Sequence, residues 1–310
     1  MISPELKHLL EKQNYAFIGN HSAIKICSWT KHSLLDQGTC YKEKFYGIKA
    51  HRCCQMSPSI GYCENRCLFC WRPIEYTEGH EIKGEIDQPK HLIKNAVKMQ
   101  QRQLAGFKGN DKVNLEKFQE AQEPTQFAIS LAGEPTDYPK LNEFIEELHK
   151  LKKTTFVVSN GLNPEVIKNI NPTQLYISVS APNKELFEKI TQSQIQDAWE
   201  RYNQSLDYLK NHPRGTLRVT LIKDWNIIEP ENYAKIIEKA QPKFVEVKAY
   251  MCVGYSKQRL EYKNMPAHEE VKEFAKKIAE KANLKIIDEQ KRSRVVLLMP
   301  RDDKSRFISI

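Results

Sequence analysis

No stretch of this 310-residue sequence approaches the roughly 20 consecutive apolar residues that a membrane-spanning helix needs. The opening Met-Ile-Ser-Pro-Glu-Leu-Lys lacks the basic-then-apolar order of a secretory signal. There is no internal repeat of solenoid type and no low-complexity segment. These absences exclude a helical membrane protein and a repeat array, and leave a cytoplasmic protein as the expectation. A mean hydropathy of −0.62 agrees with that. Charge imbalance is also missing from most of the chain. Residues 61–290 carry 34 basic and 33 acidic groups, against 8 and 4 in residues 1–60 and 6 and 2 in residues 291–310. The net charge of +9 therefore sits at the two ends. There Lys291, Arg292, Arg294, Arg301, Lys304 and Arg306 could hold a polyanion. A solubilising surface would give the same count.

What is present in excess is cysteine in one place. Seven of the eight cysteines (27, 40, 53, 54, 63, 67 and 70) fall in the first 70 residues, and only Cys252 lies outside. In a long chain without a secretory signal, such crowding favours metal ligation over disulfides.

Behind the cysteines, short apolar runs alternate with amphipathic helical ones. Runs at 126–131, 154–159, 174–179, 214–222 and 243–249 read as strands, and one at 51–57 precedes the cysteine loop. Between them Leu141, Phe144, Ile145, Leu148 and Leu151 recur at helical spacing, a long helix spans 195–210, and Asn163-Pro164 makes a helix start. Six β/α units predict an α/β fold, a partial (β/α)6 barrel with its chemistry at the C-terminal strand ends. Residues 1–50 read as an N-terminal extension and 51–290 as the barrel, with a polar, mostly helical insertion at 80–123. A helix at 268–282 and strand-like runs at 284–289 and 294–299 follow, and 291–310 reads as a basic C-terminal tail.

Cys63-Glu-Asn-Arg-Cys67-Leu-Phe-Cys70 puts three thiols within eight residues, a spacing that wraps one corner of a metal cluster. Structural zinc usually takes four ligands, often from two Cys-x2-Cys hooks. The pattern C-x3-C-x-φ-C, with Phe69 as the aromatic, resembles the signature of the radical S-adenosylmethionine (SAM) superfamily. The resemblance implies a [4Fe-4S] cluster on Cys63, Cys67 and Cys70, with SAM on its open iron. Gly133-Glu134-Pro135 then matches the family segment that binds the methionine amino group, as a carboxylate suits an ammonium. Ser159 and Asn160, Ser178 and Ser180, and Lys248 end later strands and are candidate SAM or cavity contacts. Ordinary turn chemistry would also account for the serines and the Gly-Glu-Pro segment.

Cys27, Cys40 and Cys53 recur at intervals that no local hook explains, and taken alone they read as small buried thiols. The segments around Cys40 to Ile48, His51 to Pro58, Gly133 to Thr136 and Val245 to Tyr250 are similar to the archaeal tRNA 4-demethylwyosine synthases. The similarity runs from about residue 15 to 300. It implies a second [4Fe-4S] cluster on Cys27, Cys40 and Cys53, with Cys54 as a spare. It also implies a lysine that forms a Schiff base with pyruvate, Lys42 by the motif or else Lys44. The reaction so implied converts N1-methylguanosine, 3′ to the anticodon of phenylalanine tRNA, into 4-demethylwyosine. A 5′-deoxyadenosyl radical takes hydrogen from the methyl group, the carbon joins C2 of pyruvate, carbon dioxide leaves and the exocyclic amine closes a ring. Trp29, Tyr41 and Trp71 could stack on the extruded base, or pack in the core. Some relatives carry a flavin domain ahead of the cysteines. This chain starts at the cysteine region, so an external electron donor is expected, as is a monomer. A radical SAM enzyme acting on another RNA or protein, for instance by methylthiolation, would share the 63–70 loop without needing Lys42. An iron-sulfur electron-transfer module is the remaining alternative.

Overall fold

Two very short strands, β1 (Ala16–Phe17) and β2 (Ala23–Ile24), form a hairpin, and β2 pairs antiparallel with β3 (Cys53–Ser57). The sheet then runs parallel in chain order through β4 (Gln126–Ile129), β5 (Thr154–Ser159), β6 (Gln174–Val179), β7 (Gly215–Leu221) and β8 (Phe244–Ala249). A closing hairpin of β9 (Lys285–Gln290) and β10 (Val295–Met299) places β10 antiparallel beside β8. This computed structural model describes residues 2–308. Its ten-stranded sheet is open, ending on β1 and β9, and the six parallel strands form the expected partial barrel. Among the described residues no helix is long and apolar enough to cross a membrane.

The strands read as nearly continuous apolar runs because both faces are covered. Alternate side chains point to opposite faces. One set, including Phe127, Val157, Ile177, Val219 and Val247, packs under the helices Leu141–Lys150, Ala198–Leu209 and His268–Lys281 in the main core. The other set, including Phe156, Tyr176 and Phe244, faces inward. Tyr41, Phe45 and Tyr46 of the helix Tyr41–Tyr46 pack against these three rings and plug that end of the barrel. Six residues make a marginal helix alone. Burial holds this one, Phe45 alone contributing roughly 2–3 kcal/mol. Gly47, at φ +75°, ends it in the left-handed conformation that glycine adopts without strain.

The three segments read as additions to the barrel pack into it. The 80–123 stretch contains the helix Pro89–Leu104, which makes the β3-to-β4 crossover and buries Leu92, Ile93 and Ala96 in the main core. Residues 1–50 supply β1, β2 and the barrel plug, so they are woven into the same sheet. β10, expected as the strand-like run at 294–299, carries five buried apolar residues within the basic 291–310 segment.

Candidate functional site

The C-terminal strand ends open onto a cavity of about 410 Å3. Cys63, Cys67 and Cys70 line it together with Gly133, Glu134, Ser159, Asn160, Ser178, Ser180 and Lys248. The cysteine loop is fixed from outside: Arg66 N and Leu68 N donate to the carbonyls of Thr191 and Ile190, at 2.8 and 3.0 Å. Arg72 lies beneath it. Its Nε donates to Cys70 Sγ at 3.0 Å and its Nη2 to Cys63 Sγ at 3.8 Å, while Asn160 Nδ2 also reaches Cys63 Sγ at 3.8 Å. Burial pushes the Cys63 thiol up to about 12, with Arg72 pulling it back. Such thiols ionise when a cationic partner such as iron binds them. Among the described residues no three His, Cys, Asp or Glu side chains converge on one ion position. Structural zinc usually takes four such ligands and this loop supplies three, so the donor set suits a cluster with one open iron.

Facing the cysteines is a group of carboxylates. Glu134 is 3% exposed; one of its oxygens accepts from Thr136 N and Oγ1 at 3.2 and 2.9 Å, the other from Asn160 N at 2.8 Å. Burial and the neighbouring Glu64 carboxylate push Glu134 up to about 7. Burial, Glu64 and Glu134 push Asp137 up to about 11, and its Oδ2 has no hydrogen-bond partner. Of these carboxyls Glu134 lines the cavity, where it suits a ligand ammonium. Gly133 makes this approach possible. At φ +75°, a Cβ there would overlap the Ser59 carbonyl oxygen and lie 2.8 Å from that of Tyr62. Gly133→Ala should therefore destabilise the fold by roughly 1–3 kcal/mol from its conformation alone, and displace Glu134. Urea unfolding and SAM binding by calorimetry would measure the two effects.

A second cavity of about 240 Å3 is lined by Cys27, Cys40, Cys53, Trp29 and Lys42. Cys27 and Cys40 occupy the N-caps of the helices Ser28–Leu34 and Tyr41–Tyr46, and Cys53 opens β3. Alternation along β3 turns Cys54 the other way, fully buried in the main core. The Lys42 Nζ stands 4.6 Å from the ring centroids of both Phe156 and Tyr176. Burial, helped by Arg218, pulls its pKa down from the usual lysine range. Lys44 points away: its Nζ is 2.7 Å from both Asp288 Oδ1 and the Glu289 carbonyl, and half of the side chain is exposed.

Gln55, Ser130, Arg218 and Lys248 line both cavities, so the two adjoin inside the barrel. Arg218 belongs to a buried network that sequence reasoning missed. Glu246, fully buried, accepts from Tyr41 at 2.9 Å, Tyr46 at 2.7 Å and Arg218 Nε at 3.1 Å, and Arg218 Nη2 donates to Tyr41 at 2.9 Å. Tyr41 is therefore core rather than a stacking platform. Trp71 lines the first cavity and Trp29 the second, where Arg292 lies 5.1 Å over its ring. The basic residues of the C-terminal segment divide in the same way. Arg306 is buried against Asp302 and the Phe45 carbonyl, and Arg294 bonds the Pro266 carbonyl at 2.7 Å. Lys291, Arg292, Arg301 and Lys304 are exposed.

A model of the radical SAM superfamily matches residues 57–237, and one described as wyosine base formation matches residues 239–300. Over 96% of this chain and 89% of the other, the sequence is 45% identical to the S-adenosyl-L-methionine-dependent tRNA 4-demethylwyosine synthase of Pyrococcus abyssi. It is 40% identical to the enzyme of that name from Methanocaldococcus jannaschii over 98% of each chain. A solved structure described as TYW1 with a lysine-pyruvate adduct bound superposes with a TM-score of 0.89 at 38% identity, covering 99% of this chain and 98% of that one. Sequence, fold and paired cavities agree, and the chain belongs to the tRNA 4-demethylwyosine synthase family within the radical SAM superfamily.

Proposed function

We propose that this protein converts N1-methylguanosine, 3′ to the anticodon of phenylalanine tRNA, into 4-demethylwyosine with pyruvate as co-substrate. The observation that carries the reading is the adjoining of two cysteine-lined cavities through Gln55, Ser130, Arg218 and Lys248, with Lys42 in the second. Membership of the superfamily implies SAM and a [4Fe-4S] cluster, for which Cys63, Cys67 and Cys70 are the ligands. A second cluster on Cys27, Cys40 and Cys53 is part of the proposal. When bound, cluster and SAM together supply radical chemistry able to remove a hydrogen from an unactivated methyl group.

The protein's own residues hold and orient. Glu134 receives the ammonium of the methionine moiety. Ser159, Asn160, Ser178 and Ser180 line the rest of that pocket. Lys42, once neutral, attacks C2 of pyruvate, forming a carbon-nitrogen bond as the carbonyl oxygen leaves as water. Phe156 and Tyr176 keep bulk water from the amine. The exposed Lys291, Arg292, Arg301 and Lys304 are placed to meet the RNA backbone. An external donor supplies the electrons.

The test is anaerobic reconstitution followed by assay with SAM, reductant, pyruvate and N1-methylguanosine-containing tRNA. Product mass and release of carbon dioxide that depends on pyruvate support the reading. Formation of 5′-deoxyadenosine without pyruvate-dependent carbon dioxide would favour another radical SAM reaction. Iron analysis tests the clusters separately: about eight irons per chain should fall to about four when Cys27, Cys40 and Cys53 become alanine. About four in both proteins would remove the second cluster.

A further inference from the structure

The second cavity has more positive charge than its own walls neutralise. Lys42, Arg218 and Lys248 all line it, and Glu246 is the carboxylate that faces them. Three thiolates around a doubly positive cluster core would add a single net negative charge. With Lys42 neutral for condensation, Arg218 and Lys248 are the cations left to meet a ligand.

Two of these cations have donors to spare. Arg218 gives Nε to Glu246 and Nη2 to Tyr41, while its Nη1 makes no hydrogen bond among the described residues. Its side chain is 18% exposed and opens into the cavities. Lys248 Nζ donates to the Ser293 carbonyl at 2.8 Å, which leaves two of its protons free. Burial, helped by Arg218, brings Lys248 down to about 8. The residues are neighbours by register. Arg218 pairs with Glu246 and Thr220 with Lys248 across β7 and β8, so all four side chains project inward. The cavity, about 240 Å3, suits a small acid better than a nucleotide.

We propose that Arg218 and Lys248 clamp the carboxylate of the oxoacid that reacts with Lys42, so that the second cavity selects 2-oxoacids over neutral carbonyl compounds. Arg218 holds the carboxylate through a fixed fork and Lys248 through a point charge at its side. This rests on the assignment of Lys42 as the condensing amine. The clamp governs which carbonyl compound reaches that amine.

The experiment traps the condensation product on the anaerobically reconstituted full chain. Sodium cyanoborohydride delivers a hydride to the carbon-nitrogen double bond left when water departs, fixing a secondary amine that peptide mass mapping assigns to Lys42. Pyruvate is compared with methyl pyruvate, which has the same ketone without the negative charge. Arg218→Gln and Lys248→Gln should each lower the trapping efficiency for pyruvate on the order of ten- to a hundredfold, and leave methyl pyruvate within about twofold. Lys248 lies outside the Glu246 hydrogen bonds, so Lys248→Gln gives a result even if Arg218→Gln misfolds. An equal fall for both carbonyl compounds would overturn the clamp, because the effect would then lie on the amine. An unchanged pyruvate response in Lys248→Gln would overturn it as well. A wild-type chain that traps neither compound at Lys42 would remove the condensing lysine itself, and the clamp with it.

Discussion

Replacing Lys42 with alanine or arginine should lower 4-demethylwyosine formation roughly a thousandfold or more, while Lys44→Ala stays within about twofold of the parent. The contrast follows from where the two amines stand. Lys42 Nζ lies in the second cavity over the faces of Phe156 and Tyr176, and among the described residues no carboxylate holds it as a salt bridge. A buried amine in that setting is more easily deprotonated, and a neutral amine is what condenses with a ketone. Lys44 is bound to Asp288 and the Glu289 carbonyl on the other side of the same short helix. Arginine at position 42 keeps the charge and much of the packing but forms no imine under these conditions. A merely structural lysine would therefore tolerate Lys42→Arg, and a condensing one would not. The cysteine loop lines the other cavity, so the Lys42 variants should still form 5′-deoxyadenosine from SAM. Quantifying 5′-deoxyadenosine and the modified nucleoside in the same reaction checks both. Near-normal product from Lys42→Arg, or loss of both products together, would count against the assignment.

The sequence made some of this legible because the information is local. Three cysteines in eight residues mark a candidate metal-cluster loop by their spacing, and six apolar runs gave β3 to β8 to within two residues. Cys27, Cys40 and Cys53 were different. They meet only because two helix N-caps and a strand start are folded onto one cavity, a relationship with no period in sequence. β1 and β2 escaped notice because two-residue strands carry no pattern and exist through their pairing with each other and with β3. β10 was legible as the apolar run at 294–299, which stands out against the basic residues on either side of it. The Arg218–Glu246 network did leave a trace. Gly-Thr-Leu-Arg-Val-Thr-Leu and Phe-Val-Glu-Val-Lys-Ala each interrupt a buried strand with charge, and in a sheet covered on both faces such a residue needs a partner. Counting by two from Phe244 would have put Glu246 and Lys248 on one face, and from Thr216 would have put Arg218 and Thr220 on the matching one.

That network should also be where the fold is most sensitive to loss of a single charge. Glu246 is fully buried and serves three donors, two tyrosine hydroxyls and the Arg218 guanidinium. Glu246→Ala leaves Arg218 without its carboxylate and Tyr46 without its acceptor, at the point where the helix Tyr41–Tyr46 plugs the barrel. Removing one partner from a buried ion pair typically costs about 3–5 kcal/mol, because the other charge is left desolvated. Urea unfolding of the metal-free chain should register a loss of that size. Glu246→Gln keeps an acceptor oxygen for one tyrosine and should fall between the parent and the alanine variant. Glu185→Ala supplies the comparison. It breaks an ion pair with Lys189 at 2.7 Å in which both side chains are more than half exposed, and should change stability by no more than about 0.5 kcal/mol. If Glu246→Ala and Glu185→Ala unfold at the same urea concentration, the buried network contributes no more than a surface pair. Arg218 would then be held by something other than Glu246, and its free Nη1 could no longer be read as one end of a fixed fork.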